Sequence, residues 1–578
     1  MIPDVRTADA AATQREVAAT GAEAAVRIPD LARPAAPRRP PRSLAILAAL
    51  VAAGMLLPIA YLLIRVAEVG PAAVEFALRP RTLQVLLNKV GLVAVVTTVC
   101  ALIAVPLAWL LVRTDLPGRR AWTALAVLPL VMPSYVAAFA VIAALGPRGL
   151  VQQALAPLGV ERLPDIYGLP GAALTLIMVS YPYILLSVRA ALQSMDPSLD
   201  EAARSLGHGG WSTFRRVTWP HLRPALAAGA LLVALYTLSD FGAVSLLQYN
   251  AFTRVIYLQY SASFDRALAA VLALMLVALT GAALILEVRA RGAARHDRTS
   301  VGVGRAGRRV RLGPWTAPAL LFVGGVVGLA LVMPLLVVIY WAVEGVGAGE
   351  ALGFVAADAV RSVGVSTLAA MVIVAAALPV AILAVRYPSR RTTLLERVTF
   401  TGYALPGIVI ALALVFFGAR YVPLLYQTLP LLLFGYMVRF LPQAVGSTRN
   451  SLLFVSPRLE EAARGLGRAP LTVLFRVTLP LVRPGLVAGA ALVFLTVMKE
   501  LPITLILAPI GFKTLALAIW SATSEGFFHR AAVPALILTL VSGLSIFSLL
   551  GSGNQGRKAD DSTPTTDEGQ ATNRSASL

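Results

Sequence analysis

Twelve stretches of this chain are long and apolar enough to cross a bilayer, and no other feature limits its fold so strongly. A hydrocarbon core takes roughly 20 helical residues to span. The runs lie near 44–65, 90–112, 122–145, 171–193, 224–248 and 266–288, then near 316–342, 362–385, 398–418, 422–447, 484–508 and 531–551. Hydrophobic residues make up 58% of the chain without Gly, against about 45–50% with Gly in soluble domains. The expectation is an all-α polytopic membrane protein with about twelve transmembrane helices.

The net charge of +21 reads as membrane topology rather than nucleic-acid binding, because no aromatic-basic module accompanies it. With a cytoplasmic amino terminus, the five inside connections carry 25 Lys and Arg and the six outside connections carry 12. That bias follows the positive-inside rule and makes both termini cytoplasmic. The single cysteine, Cys100, lies in an apolar span and permits no intrachain disulfide. Residues 1–43 and 553–578 read as disordered tails. Residues 291–314, rich in arginine, read as a solvated linker between two halves at 44–290 and 315–552. Within the linker, Gly302-Val303-Gly304-Arg305-Ala306-Gly307 matches a dinucleotide fingerprint by chance, since no strand precedes it.

The two halves repeat each other. At an offset of 260, Pro182 matches Pro442, Arg189 matches Arg449, Gly229 matches Gly489 and Asp240 matches Glu500. Upstream the offset is 273, pairing Pro106 with Pro379, Arg113 with Arg386 and Pro133 with Pro406. Six spans per half leave both halves parallel, which implies a pseudo-two-fold axis along the membrane normal and a pathway at the interface.

The strongest repeat is polar. Glu201-Ala202-Ala203-Arg204-Ser205-Leu206-Gly207 with Pro220 recurs as Glu461-Ala462-Ala463-Arg464-Gly465-Leu466-Gly467 with Pro480. Asp196-Pro197 and Ser456-Pro457 supply a capping side chain and a first-turn proline. Leu199, Ala202, Ala203 and Leu206 form an apolar stripe, as do Leu459, Ala462, Ala463 and Leu466. Gly207 and Gly467 suit a left-handed helix end. A second short helical piece is expected to end before each proline. Each copy is thus a short helix, or prong, between membrane spans.

Glu-Ala-Ala, three residues, Gly, nine residues, an aliphatic, one residue and Pro resembles the hallmark of permease subunits of binding-protein-dependent ABC importers of the MetI-like type. Val217 and Val477 stand where that family more often has Ile. The resemblance implies a fused double permease of the bacterial inner membrane. It also implies two cytoplasmic ATPase subunits that bind ATP and Mg, and a periplasmic solute-binding protein. The coupling role falls on Glu201, Ala202, Ala203, Gly207 and Pro220, and on Glu461, Ala462, Ala463, Gly467 and Pro480. The chain carries no phosphate loop of its own, so it is read as a transport subunit without catalytic residues or cofactor.

After each prong a carboxylate sits inside an apolar span beside a helix-weakening residue: Asp240 with Gly242, and Lys499-Glu500 with Pro502. Ionisable groups at that depth are costly and are read as functional by default. Two readings stand: these residues line a pathway, or Glu500 pairs with Lys499 or Arg439. The wording Met498-Lys499-Glu500-Leu501-Pro502-Ile503-Thr504, with Gly511-Phe512-Lys513-Thr514-Leu515 and Trp520, resembles ferric iron permeases. So does Asp240-Phe241-Gly242 with Phe252-Thr253. Carboxylates suit a hard cation. No tight metal site is expected, because the four histidines show no ligand spacing. Thiamine, phosphonate, polyamine and sulfate importers share the architecture, and an ion-driven carrier is the competing class.

Overall fold

The computed structural model describes residues 40–147, 149–262, 266–292, 309–347 and 352–543. The expected tails therefore lie outside the described residues except for 40–43, as do most of the linker, its chance fingerprint, and 544–552. Arg42 and Ser43, expected in the tail, already belong to the first helix, Arg42–Val69. Each expected span corresponds to a helix. Ten described helices are long and apolar enough to cross a membrane, or eleven if one sharply bent pair is counted as a span. The last expected span is represented by the shorter apolar helix Phe528–Gly543.

The expected spans at 122–145 and 398–418 are broken rather than straight, and proline is the reason. Met132 and Leu405 are extended, the conformation a following proline favours, and Pro133 and Pro406 cap new helices. The second break turns the chain by 105° between Arg390–Ala404 and Gly407–Tyr421. The restarted helices Ser134–Leu145 and Gly407–Tyr421 have almost no exposed face: Val136 to Ala144 and Ile408 to Val415 are all buried. A helix apolar on every side belongs in a protein core, and these two form the centre of their halves.

Around them the halves build the same framework. Pro80–Arg113 packs on Leu169–Ser194 and Trp219–Ser239, and Leu352–Arg386 packs on Leu429–Phe454 and Leu479–Met498. The first span of each half crosses to the other. Arg42–Val69 packs against Leu352–Arg386, Arg390–Thr399 and Gly407–Tyr421, with Tyr61 edge-on to Phe417 at 6.1 Å. In exchange, Met333–Gly347 packs on Ser134–Leu145, while Phe528 sits 5.8 Å from Phe139. The end of the linker is also less free than expected. Val310 donates to Arg113 O at 2.8 Å and accepts from Asp115 N at 3.2 Å, and Leu312 N donates to Asp115 Oδ1 at 2.9 Å.

This exchange gives a test. Expressed as two chains cut within 293–308, the halves should copurify, and each alone should aggregate or be degraded. A half that is stable and monodisperse by itself would contradict the exchanged packing.

Candidate functional site

The prongs are the helices Pro197–Ser205 and Pro457–Gly465. Ser198 N donates to Asp196 Oδ1 at 2.9 Å, and this hydrogen bonding holds the Asp196 carboxyl below its usual range. In the second copy Arg458 N donates to Ser456 Oγ at 3.4 Å. Both helices end as expected. Gly207 has φ +81° and Gly467 φ +76°, where a side chain would be strained. The residue after each glycine donates five residues back, His208 to Ala203 O at 3.1 Å and Arg468 to Ala463 O at 3.3 Å.

The expected apolar stripe does not pack as one face. Ala203 is buried and Ala463 half-buried, whereas Leu206 and Leu466 are 78% and 82% exposed. Glu201, Ala202, Glu461 and Ala462 are exposed. Trp211, at 76%, and Leu471, at 69%, extend the exposed apolar surface. Such leucines, rimmed by charges at a polar helix, form a surface suited to a protein partner. The helices also run through Pro220 and Pro480 instead of ending before them. Each is preceded by a π-helical turn, Phe214–Thr218 or Leu474–Thr478. The wider turn accommodates a residue that has no N–H to donate and whose ring crowds the preceding carbonyls.

The second constellation lies where two membrane helices stop and restart. Trp219–Ser239 ends at Asp240 and Gly242–Leu246 follows; Leu479–Met498 ends before Glu500 and Pro502–Leu507 follows. Each carboxylate caps the restarted turn. Asp240 Oδ2 accepts from Ala243 N at 3.1 Å and Val244 N at 3.3 Å; Glu500 Oε1 accepts from Ile503 N at 3.3 Å. A threonine donates to the carbonyl of each capping residue, but from different positions: Thr253 Oγ1, thirteen residues on, to Asp240 O at 2.6 Å, and Thr504 Oγ1, four residues on, to Glu500 O at 2.7 Å.

The cations differ. Glu500 pairs with Arg439, Nε to Oε2 at 3.3 Å. Asp240 lies close to Lys89, which is fully buried and donates to Thr237 O at 2.9 Å. Lys499 does not pair with Glu500; it reaches the other half, with Nζ 3.5 Å from Leu130 O. Gly407 makes room for the larger pair, since a Cβ there would lie 2.6 Å from Glu500 Oε1 and 2.8 Å from Arg439 Nη1. Ser134, its counterpart at the 273 offset, is within hydrogen-bonding reach of Asp240 and Tyr236. Gly242 is equally constrained, its Cβ position 2.8 Å from Tyr135 Cβ. Tyr135 lies close to Glu500 and Tyr236, and its buried hydroxyl has no hydrogen-bond partner. Phe241 packs against Trp520, ring centroids 5.0 Å apart and tilted by 34°, so the two halves meet beside these breaks.

Residues 80–289 and 377–553 match the family described as the binding-protein-dependent transport system inner membrane component. The chain belongs to that family. The match falls twice, once on each half, so the permease is a fused duplicate. It is 34% identical to the Fe(3+)-transport system permease protein FbpB 2 of Haemophilus influenzae, over 89% of this chain and 99% of that protein. Similarity to the molybdenum transport system permease ModB of Escherichia coli is 34% over 24% of this chain and 58% of that protein. For the sulfate transport system permease CysW of Synechocystis it is 33% over 26% and 56%. Membership of this family displaces the ion-driven carrier expected as the competing class.

Sequence reading missed Lys89, counted with an outside connection although it sits inside Pro80–Arg113. It also missed Ser134, Tyr135 and Gly407. The small residues at the matched positions 134 and 407, each directly after a matched proline, were the available signal. Arg386 and Glu460, buried at the foot of the second prong, were passed over too. Among the described residues no three His, Cys, Asp or Glu converge as for a metal.

Gly407→Ala should overpack the Arg439–Glu500 pair and cost about 1–3 kcal/mol, read as a lowered melting temperature of the detergent-solubilised permease. Gly446→Ala, on a helix with open space around it, is the control. Equal melting of the two variants would contradict the close fit.

Proposed function

We propose that this permease carries Fe(III) inward, received from a periplasmic binding protein and driven by two cytoplasmic ATPase subunits seated on its two prongs. The observation that carries the docking role is the pair of short helices with matching caps, exposed alanines and outward leucines. Small exposed residues let a partner's surface approach closely, and Leu206 and Leu466 supply apolar anchors for it. The prong end is then the cytoplasmic end, in agreement with the arginine-rich connections there. ATP and Mg belong to the partner subunits.

Iron as cargo is supported by the similarity along nearly the whole length of an Fe(3+) permease and by oxygen ligands, Asp240 and Glu500, at the helix breaks. Asp240, Gly242, Arg439, Lys499, Glu500 and Pro502 line the route in this reading. Both carboxylates already face a cation, so they touch cargo without trapping it, as conduction requires. One observation favours a second reading. Lys89, Arg439 and Lys499 outnumber the two carboxylates, which suits an oxyanion such as those named for the molybdenum and sulfate relatives.

Two outcomes are expected. Ala202→Trp combined with Ala462→Trp should abolish copurification of the ATPase while leaving the permease monodisperse; retained ATPase would contradict docking on the prongs. Cells lacking the chain should lose uptake of radioactive iron and keep that of molybdate, sulfate and thiamine. The reverse pattern would reassign the cargo.

A further inference from the structure

We propose that Glu460 and Arg386 form the joint through which the second prong moves the membrane helices, a positioning pair for transport. The inference rests on the docking reading above.

Glu460 is the one buried residue of its helix, whose other residues are exposed or half-buried. Its side chain is 8% exposed and that of Arg386 is 9%. Arg386 is the last residue of Leu352–Arg386, a framework helix of the second half. Its Nε donates to Glu460 Oε1 at 3.0 Å, and its Nη2 donates to Val455 O at 3.0 Å, just beyond Leu429–Phe454. Glu460 also accepts from Arg464 at 3.2 Å and from Thr478 Oγ1 at 3.2 Å. Thr478 closes the π-helical turn that leads into Leu479–Met498.

The pair thus ties the prong to the ends of all three framework helices of its half: Glu460 reaches Leu352–Arg386 and the turn into Leu479–Met498, and Arg386 reaches the end of Leu429–Phe454. The prong's main packing is on the short turns that follow it, and its leucines face outward. Apolar contact alone would let such a short helix roll. Charge-assisted bonds from a planar guanidinium fix direction as well as distance, which a lever needs at its pivot. The pair lies off the docking face, so it acts through the prong rather than on the ATPase.

Spin labels at Leu158 and Leu424, which are 77% and 88% exposed and lie in different halves, report the separation of the halves far from the prongs. In the native complex with its ATPase, ATP should shift that distance. Glu460→Gln should bind the ATPase and sustain hydrolysis while the shift is lost. Because that variant leaves Arg386 unpaired, the double variant Glu460→Gln with Arg386→Met is tested beside it, and the same loss is expected. Gly446→Ala, away from the prong and with open space around it, should shift as the native protein does. A double variant that moves like the native complex would overturn the joint. So would failure of both Glu460 variants to bind ATPase, which would make the pair a folding element. A native chain that binds no ATPase overturns the docking reading itself, a result distinct from either.

Discussion

The centre of this permease depends on a carboxylate that accepts backbone N–H groups where a membrane helix stops and restarts. Inside a bilayer an unsatisfied amide has no water to turn to, and non-helical backbone survives only where protein surrounds it. Asp240 and Glu500 satisfy the restarted turns directly. Each buried carboxylate then requires a cation, because an isolated charge in that setting is prohibitive. From this follow Lys89 near Asp240, Arg439 beside Glu500, and glycine at 407 to admit the guanidinium. Breaking one partner is expected to be far more damaging than replacing both, since the survivor is left unpaired.

Duplication fixed the backbone and left the charges free to diverge. Both halves keep the proline bend before their central helix, the capping carboxylate, the π-helical turn and the left-handed glycine. The cations come from different helices, Lys89 from Pro80–Arg113 and Arg439 from Leu429–Phe454. Ser362, at the Lys89 position of the second half, instead accepts from Leu515 N at 2.8 Å. The two-fold symmetry is therefore one of framework, and the charges around the two helix breaks are chemically lopsided. A single fused chain tolerates this, because each half always meets the same partner.

The legible parts of the sequence were those set by local rules. Apolar length gave the spans, Asp196-Pro197 and Ser456-Pro457 gave the prong starts, and Gly207 and Gly467 gave their ends. The bends at Pro133 and Pro406 carried a local signal as well, but long apolar runs hid it. What stayed hidden was tertiary. Of the partners weighed for Glu500, Arg439 was real and Lys499 was not, because the neighbouring Lys499 points to Leu130 across the interface. Likewise the spacing gave each prong an apolar stripe but not its surroundings: Ala203 is buried while Leu206 and Leu466 stand in solvent, and no periodicity distinguishes a core face from a partner's.

The proposed drive needs two equivalent seats for two motor subunits, and the mass of the intact complex measures this most directly. Native mass spectrometry of the detergent-solubilised assembly should give two ATPase subunits per chain, falling to one when either prong alone is replaced by a Gly-Ser loop. A complex with a single ATPase, or one whose composition ignores the loss of a prong, would contradict it.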